Sequence, residues 1–281
     1  MSEEINYRLN WQVGSAHPGA HSGVFSGSGY LFHRYTPLLR HPDLRRVDMR
    51  ASVLDPLQQL QVRAYQQYSQ MNVYLLADLS ASMRYYGQSH KQQVLLRIYN
   101  ALAQSVFNYG DRFAFIGCTQ EIQKSWILPL SHQRERASAM QQTLEITRLE
   151  GGAQGLFSAW RYVSSQRSLV FLCSDFNFPL IQLDPLLSKL QSHDLVPIVL
   201  WDNNECHHLP DWGFLNLRDM ENGRQRLLWL RPGMREKLIA AYSQREAELK
   251  KCFRNHGREA LFLTNGFNTD TINSFLQQRV A

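Results

Sequence analysis

The stretch Met71-Asn-Val-Tyr-Leu-Leu-Ala-Asp78-Leu-Ser80-Ala-Ser82-Met83 decides how this chain is read. Its first part is apolar almost without interruption and then stops at a carboxylate. A continuous apolar run implies a strand buried on both faces, as in a parallel sheet flanked by helices. The carboxylate and the two hydroxyls, at alternate positions, then fall in the turn that leaves the strand.

The pattern repeats downstream. Residues 92–107 carry apolar side chains at helical spacing (Val94, Leu95, Ile98, Leu102, Val106), and a second strand is predicted over Arg112 to Cys118. Ile122 to Leu128 is expected to pair with it as an antiparallel edge. A helix is expected from about Ser131 to Ile146, with Ser131 as its cap and Glu135 in its first turn. Gly151-Gly152 breaks the chain before a short helix over Gly155 to Ser164. Ser168 to Asp175 reads as another buried strand ending in an acid. A helix over Leu183 to Ser192 leads to a strand, Leu195 to Trp201, followed by Asp202. Short strands (Phe214 to Leu217, Gln225 to Leu230), a long helix (about Met234 to Asn255), a strand (Ala260 to Leu263) and a helix from Thr269 complete the reading.

Strands alternating with helices predict an α/β fold: a doubly wound, mostly parallel sheet flanked by helices, with Rossmann-like topology. Ligands of such sheets bind beyond the carboxyl ends of the strands, near the topological switch point. Asp78, Asp175 and Asp202 are expected there. Upstream, residues 1–30 are rich in Gly, Ser and His and show no sustained period, so a flexible or irregular arm is expected. Residues 31–70, basic and partly apolar with a Gln-rich stretch over 55–70, form a segment expected to pack on the main domain, residues 71–281.

With 281 residues, 44% of them hydrophobic and 19% charged, the composition is that of a soluble globular protein. The net charge of +6 is spread among acids and apolar residues, and no nucleic-acid-binding motif accompanies it. The first residues are acidic, unlike a secretory signal, and no apolar run approaches the ~20 residues of a membrane span. Cys118, Cys173, Cys206 and Cys252 form no Cys-x-x-Cys pair. These features point to a cytoplasmic protein with reduced thiols.

Three oxygens converging from Asp78, Ser80 and Ser82 suit a hard divalent cation, and Asp175 is placed to reach the same point from a neighbouring strand end. The competing reading makes the serines caps of the following helix, with Asp78 held by backbone amides. Glu205-Cys206-His207-His208 lacks a second cluster to complete a zinc site and reads as loop polarity. Arg45-Arg46 with Asp48 reads as an ion-pair anchor for the N-terminal segment. Neither a Gly-x-Ser-x-Gly elbow nor a phosphate loop is present.

The Asp78-x-Ser80-x-Ser82 motif resembles the metal-ion-dependent adhesion site of von Willebrand factor A domains. Those domains use five positions, and Asp78, Ser80, Ser82 and Asp175 match four. At the fifth, Gly151-Gly152-Ala153-Gln154 places Ala153 where the family has a threonine hydroxyl. Upstream, Arg34-Tyr35 and Asp43-Leu44-Arg45-Arg46-Val47-Asp48 resemble the signature of the bacterial domain-of-unknown-function 58 family, with Met49 in place of Trp and Leu38 to His41 as an insertion. Lys91 falls where that family has a lysine, and Asp202, Glu205, Leu209-Pro210, Gly213, Asp219, Glu221 and Gly223 resemble its later stretch.

The resemblance implies a protein-interaction module and not an enzyme. Mg²⁺ or Mn²⁺ is the implied ion, with the last ligand an acidic residue of the partner. The implied partner is a MoxR-type AAA+ ATPase or its client. Two alternatives stay open: a metal-free scaffold of the same fold, and a metal-dependent hydrolase.

Overall fold

A computed structural model describes residues 4–7, 11–15, 17–27, 31–40, 42–203, 213–218, 225–230 and 232–279. The chain divides into two compact units, a smaller one of residues 9–71 and 109–111 and a larger one of residues 1–8, 72–108 and 112–281.

The smaller unit is a three-stranded antiparallel sheet of β1 (Pro18–Gly27), β2 (Leu31–Pro37) and β3 (Gln61–Ser69), with β3 in the middle. A strand therefore occupies much of the segment expected to be an irregular arm. Its pairing with β3 shifts register between Pro18 and His21 and again between Ser22 and Ser26. Such irregularities erase the two-residue alternation that marks a strand in sequence. The Gln-rich stretch becomes β3, the strand that both neighbours need.

Helix α1 (Met49–Val53) starts at Asp48, whose side chain accepts the N–H groups of Arg50 and Ala51. The ion-pair partner of Asp48 is Arg63, with Nε at 2.7 Å, and Tyr35 Oη adds a bond at 3.2 Å. Arg46 instead lies 3.2 Å from Asp43, so the expected Arg45-Arg46 anchor on Asp48 is corrected to an anchor made by Arg63. The Ala51 N–H and the Arg63 guanidinium hold the Asp48 carboxyl below its ordinary range.

The larger unit carries the predicted α/β architecture. β4 (Asn72–Asp78), β5 (Arg112–Cys118), β6 (Ile127–Ser131), β7 (Leu169–Ser174), β8 (Asp194–Leu200) and β11 (Leu261–Leu263) form one sheet in the order β11-β8-β7-β4-β5-β6. Every neighbouring pair is parallel except β5 with β6. All residues of β4, β7 and β8 are buried, as their apolar runs require. The antiparallel edge lies later than expected, because a short 3₁₀ turn over Lys124–Trp126 buries the Trp126 indole before β6 begins.

Helices α2 (Lys91–Asn108), α3 (Arg134–Ile146), α4 (Leu183–Lys189), α5 (Pro232–Asn255) and α6 (Thr269–Gln278) belong to the same unit, and β9 (Gly213–Arg218) and β10 (Gln225–Leu230) form a separate hairpin in it. Along α2, Val94, Leu95, Ile98, Leu102 and Val106 are buried at the predicted spacing. Gln133, not Ser131, takes the N-cap position of α3, while Ser131 Oγ accepts the Gln133 N–H at 2.9 Å. The short helix after Gly152 is a 3₁₀ helix, Gln154–Tyr162.

Residues 5–7, read as part of the arm, are built into this unit. Ile5 is fully buried, its N–H bonded to Ser105 Oγ at 2.8 Å, and the Asn6 N–H reaches Asn273 Oδ1 at 2.8 Å. Glu205 to His208, Leu209-Pro210 and Asp219 to Gly223 lie outside the described residues. Among the described residues no helix is long and apolar enough to cross a membrane.

Candidate functional site

The sheet order places the switch point at β4. The chain passes from β4 to β5 on one side and later returns to β7 on the other. The position at which ligands of such sheets bind is therefore beyond the carboxyl ends of β4 and β7, where Asp78 and Asp175 stand.

Asp78 closes β4 and has no exposed surface. Its Oδ1 accepts the Ser80 N–H at 2.9 Å and its Oδ2 accepts the Ser174 hydroxyl at 2.6 Å. Burial, then the negative charge of Asp175, push its pKa up to about 6 against the opposing pull of the Ser174 and Ser80 hydrogen bonds. Ser80 is buried as well, and Ser82 is half-buried, so Ser82 forms the solvent edge of the cluster. The two hydroxyl oxygens lie 3.1 Å apart. A 3₁₀ turn follows at Ala81–Arg84, and Ser80 stands at its N-cap position without making a side-chain capping bond. The capping reading of that hydroxyl is thus set aside, whereas backbone support of Asp78 is real.

Asp175 follows β7 and is 3% exposed. Its Oδ1 accepts the Asn177 N–H at 3.2 Å, and its Oδ2 lies 3.4 Å from Lys91 Nζ. Lys91 opens α2, is itself buried, and holds its ammonium 5.3 Å from the centre of the Tyr85 ring. The sequence marked Lys91 only as a family position. Its burial beside a carboxylate gives it a physical task, since neither charge is tolerable in the interior alone.

Asp202, the third acid, turns to a different task. Fully buried, it accepts the N–H groups of Gln88 (3.2 Å) and Ser89 (2.8 Å) and the Ser89 hydroxyl (3.1 Å). It thereby fastens the loop that runs from Ser82 to α2. Gly87 permits the approach, because a Cβ there would collide with the Asp202 carboxylate, 2.7 Å from its Cγ.

Two supporting residues had only faint sequence signals. Ser174 Oγ accepts the Phe176 N–H at 2.9 Å while donating to Asp78, which ties the two strand ends together. Trp201 Nε1 donates to the Asp175 carbonyl at 2.8 Å. Phe176 is fully buried and has a φ of 52°, a conformation that costs a non-glycine residue energy and that its surroundings must enforce.

The second loop also meets the first. Gly151 carbonyl oxygen accepts the Ala81 N–H at 2.9 Å, and the Gly155 N–H reaches Thr119 O at 2.8 Å. Ala153 is buried and presents a methyl group where a threonine would present a hydroxyl. Gln154 is exposed and its amide lies over Gly152.

The donors were compared with the needs of a Mg²⁺-like ion. Six oxygens at about 2.0–2.1 Å around such an ion put adjacent oxygens about 2.9 Å apart. The separation of the Ser80 and Ser82 hydroxyls is close to that value, and Asp78 stands behind them. Asp78 itself is fully buried, and each of its oxygens already accepts a hydrogen bond. Ala153 has no donor to give, and Asp175 already faces an ammonium. Among the described residues no three carboxylate, imidazole or thiolate groups come together as a metal cluster.

Several solved structures are similar to the chain at low identity. They include an aerotolerance-related membrane protein from Bacteroides fragilis, at 13% identity and a TM-score of 0.45 over 75% of this chain and 98% of that one. The conserved hypothetical protein BatB from Bacteroides thetaiotaomicron shows 13% identity and a TM-score of 0.42 over 74% and 97%. The pilus adhesin SpaC from Lactobacillus rhamnosus GG shows 12% identity and a TM-score of 0.44 over 75% and 29%. No curated protein matches the chain. The family model described as protein of unknown function DUF58 matches residues 43–248, most of the larger unit together with the end of the smaller one. The chain belongs to the DUF58 family, and its larger unit carries a doubly wound, mostly parallel α/β sheet.

Proposed function

We propose that this chain is a protein-interaction module that grips its partner at the loop from Asp78 to Ser89. What supports the reading is the clustering of Asp78, Ser80 and Ser82 at the switch point of the sheet, with Ser82 at the solvent edge. Tyr86, 76% exposed on the same loop, supplies the kind of aromatic anchor that partner surfaces favour. Arg84 Nε and His90 Nδ1 are buried in this loop without a hydrogen-bond partner, which leaves bonding capacity for a bound group.

The partner in this proposal is a MoxR-type AAA+ ATPase, or the complex that such an ATPase remodels, in the cytoplasm. A Mg²⁺ or Mn²⁺ ion held by Asp78, Ser80 and Ser82, with Asp175 in support, bridges to a carboxylate of the partner. Ala153 and the Lys91–Asp175 pair favour a second reading, in which the same loop engages the partner without an ion. Both are non-enzymatic. The two carboxylates that a hydrolase would use to activate water are buried, and each already accepts hydrogen bonds.

The test is retention of a MoxR-type ATPase on the immobilised chain, in Mg²⁺ and in chelator, for the native protein and for Ser82→Ala and Tyr86→Ala. Retention that Tyr86→Ala and Ser82→Ala abolish supports the grip, and its response to chelator separates the two readings. Retention untouched by either substitution, or none with the native chain, overturns it.

A further inference from the structure

In the smaller unit, Pro37 at the end of β2 faces Gln61 at the start of β3, so residues 38–60 are one excursion from a single hairpin. The Leu38 N–H bonds to Leu60 O at 2.8 Å across its neck, and the Asp48 N–H bonds to Gln61 O at 2.8 Å. Inside, Ser52 Oγ donates to Asp48 O and accepts the Gln61 N–H, adding to the bonds that Asp48 makes with α1, Arg63 and Tyr35. The excursion is fastened from within rather than slack.

Its surface is unusual. Leu39, Leu44, Met49, Val53, Leu54 and Leu57 all lie on it and are 66–92% exposed. An arginine follows three of them directly, at Arg40, Arg45 and Arg50, and each is exposed. The acids of the excursion already have partners: Asp43 has Arg46 and the Arg45 N–H, Asp48 has Arg63, and Asp55 has the Gln59 N–H. Among the described residues, the guanidinium groups of Arg40, Arg45 and Arg50 meet no carboxylate.

Side chains this exposed stand clear of their neighbours and do not line a groove, which a partner helix would require. Leu and Val are also under-represented among the residues that anchor protein partners. A bilayer surface needs only protruding aliphatic groups that enter the headgroup boundary and cations that meet anionic lipid. We propose that residues 38–60 form a platform that seats this chain peripherally on anionic lipid bilayers.

The experiment is co-sedimentation of the full chain with vesicles of phosphatidylcholine alone and of phosphatidylcholine with phosphatidylglycerol. Binding is expected to the anionic vesicles and to fall as salt rises. Each arginine near the surface is worth about fivefold, so Arg40→Gln, Arg45→Gln and Arg50→Gln together are expected to weaken partitioning about a hundredfold. Leu44→Ser, Met49→Ser and Val53→Ser together are expected to weaken it as well. These positions are exposed and leave Asp48 untouched, so circular dichroism is expected to match the native chain. Equal sedimentation with both vesicles, or binding that neither triple substitution changes, overturns the proposal. A dimer in light scattering that the aliphatic substitutions abolish also overturns it, and makes the platform an interface between copies.

Discussion

Replacing Asp78 by asparagine is expected to stabilise the protein above neutral pH, although it removes the central side chain of the site. The native carboxyl titrates at about 6 in the folded state and near 3.8 in the unfolded chain. A raised folded-state value means that the native state binds this proton more tightly than the unfolded state. The group's favourable contribution is therefore complete below about pH 4 and is lost as pH rises through about 6. At pH 8 the ionised, buried carboxylate costs the fold about 3 kcal/mol, from about 2 units at 1.36 kcal/mol each. An asparagine carries no such charge. It keeps an acceptor for the Ser80 N–H and disturbs the bond from Ser174, worth about 1 kcal/mol. The net expectation is a gain of about 2 kcal/mol at pH 8 that vanishes by pH 4.5. Urea unfolding followed by tryptophan fluorescence at the two pH values measures it. A variant equally destabilised at both would refute the argument, because the loss would then come from packing or hydrogen bonding and not from a buried charge.

Lys91→Met leaves Asp175 buried without its ammonium and is expected to cost about 3–5 kcal/mol in unfolding free energy, while Lys91→Met with Asp175→Asn recovers most of it; simple additivity of the two single losses would argue against a direct pair. Gly87→Ala drives a methyl group into Asp202, so the amides of Gln88 and Ser89 are expected to lose hydrogen-exchange protection, at a cost of about 1–3 kcal/mol. Unchanged exchange at Ser89 would mean that Asp202 is not what fastens the loop. Burial raises the pKa values of Cys118 and Cys173, the former with help from the charge of Asp78, so both thiols are expected to resist a disulfide reagent until the protein unfolds. Prompt labelling of either in the native state would contradict that burial.

The central sheet was readable because burial on two faces fills the strand interiors with apolar residues. β4, β7 and β8 each appear as apolar runs that are polar only at their ends, and an acid closes or follows each. The same logic fails at edges. β6 pairs on one side only and starts after a turn around Trp126, so its limits depend on where one indole packs. β1 was hidden by register breaks and by a composition of Gly, Ser and His. At the site, Asp78, Ser80 and Ser82 are neighbours in sequence, and their proximity follows from one turn. Lys91 and Asp175 are brought together only by the fold, and periodicity carries no trace of such a pair. Nor does it show that Arg63, rather than the nearer Arg45 and Arg46, answers Asp48 across the hairpin.

The bond between the Asn6 N–H and Asn273 has a consequence for synthesis. The larger unit takes residues from both sides of the smaller unit's main segment in sequence. On a ribosome the smaller unit has all its residues once position 111 has emerged. Ile5 has Ser105 available early, but Asn6 waits until the sixth helix has been made. Until the helices of the larger unit have emerged, the apolar faces of its strands stand without their full cover, an interval in which such a chain is exposed to aggregation.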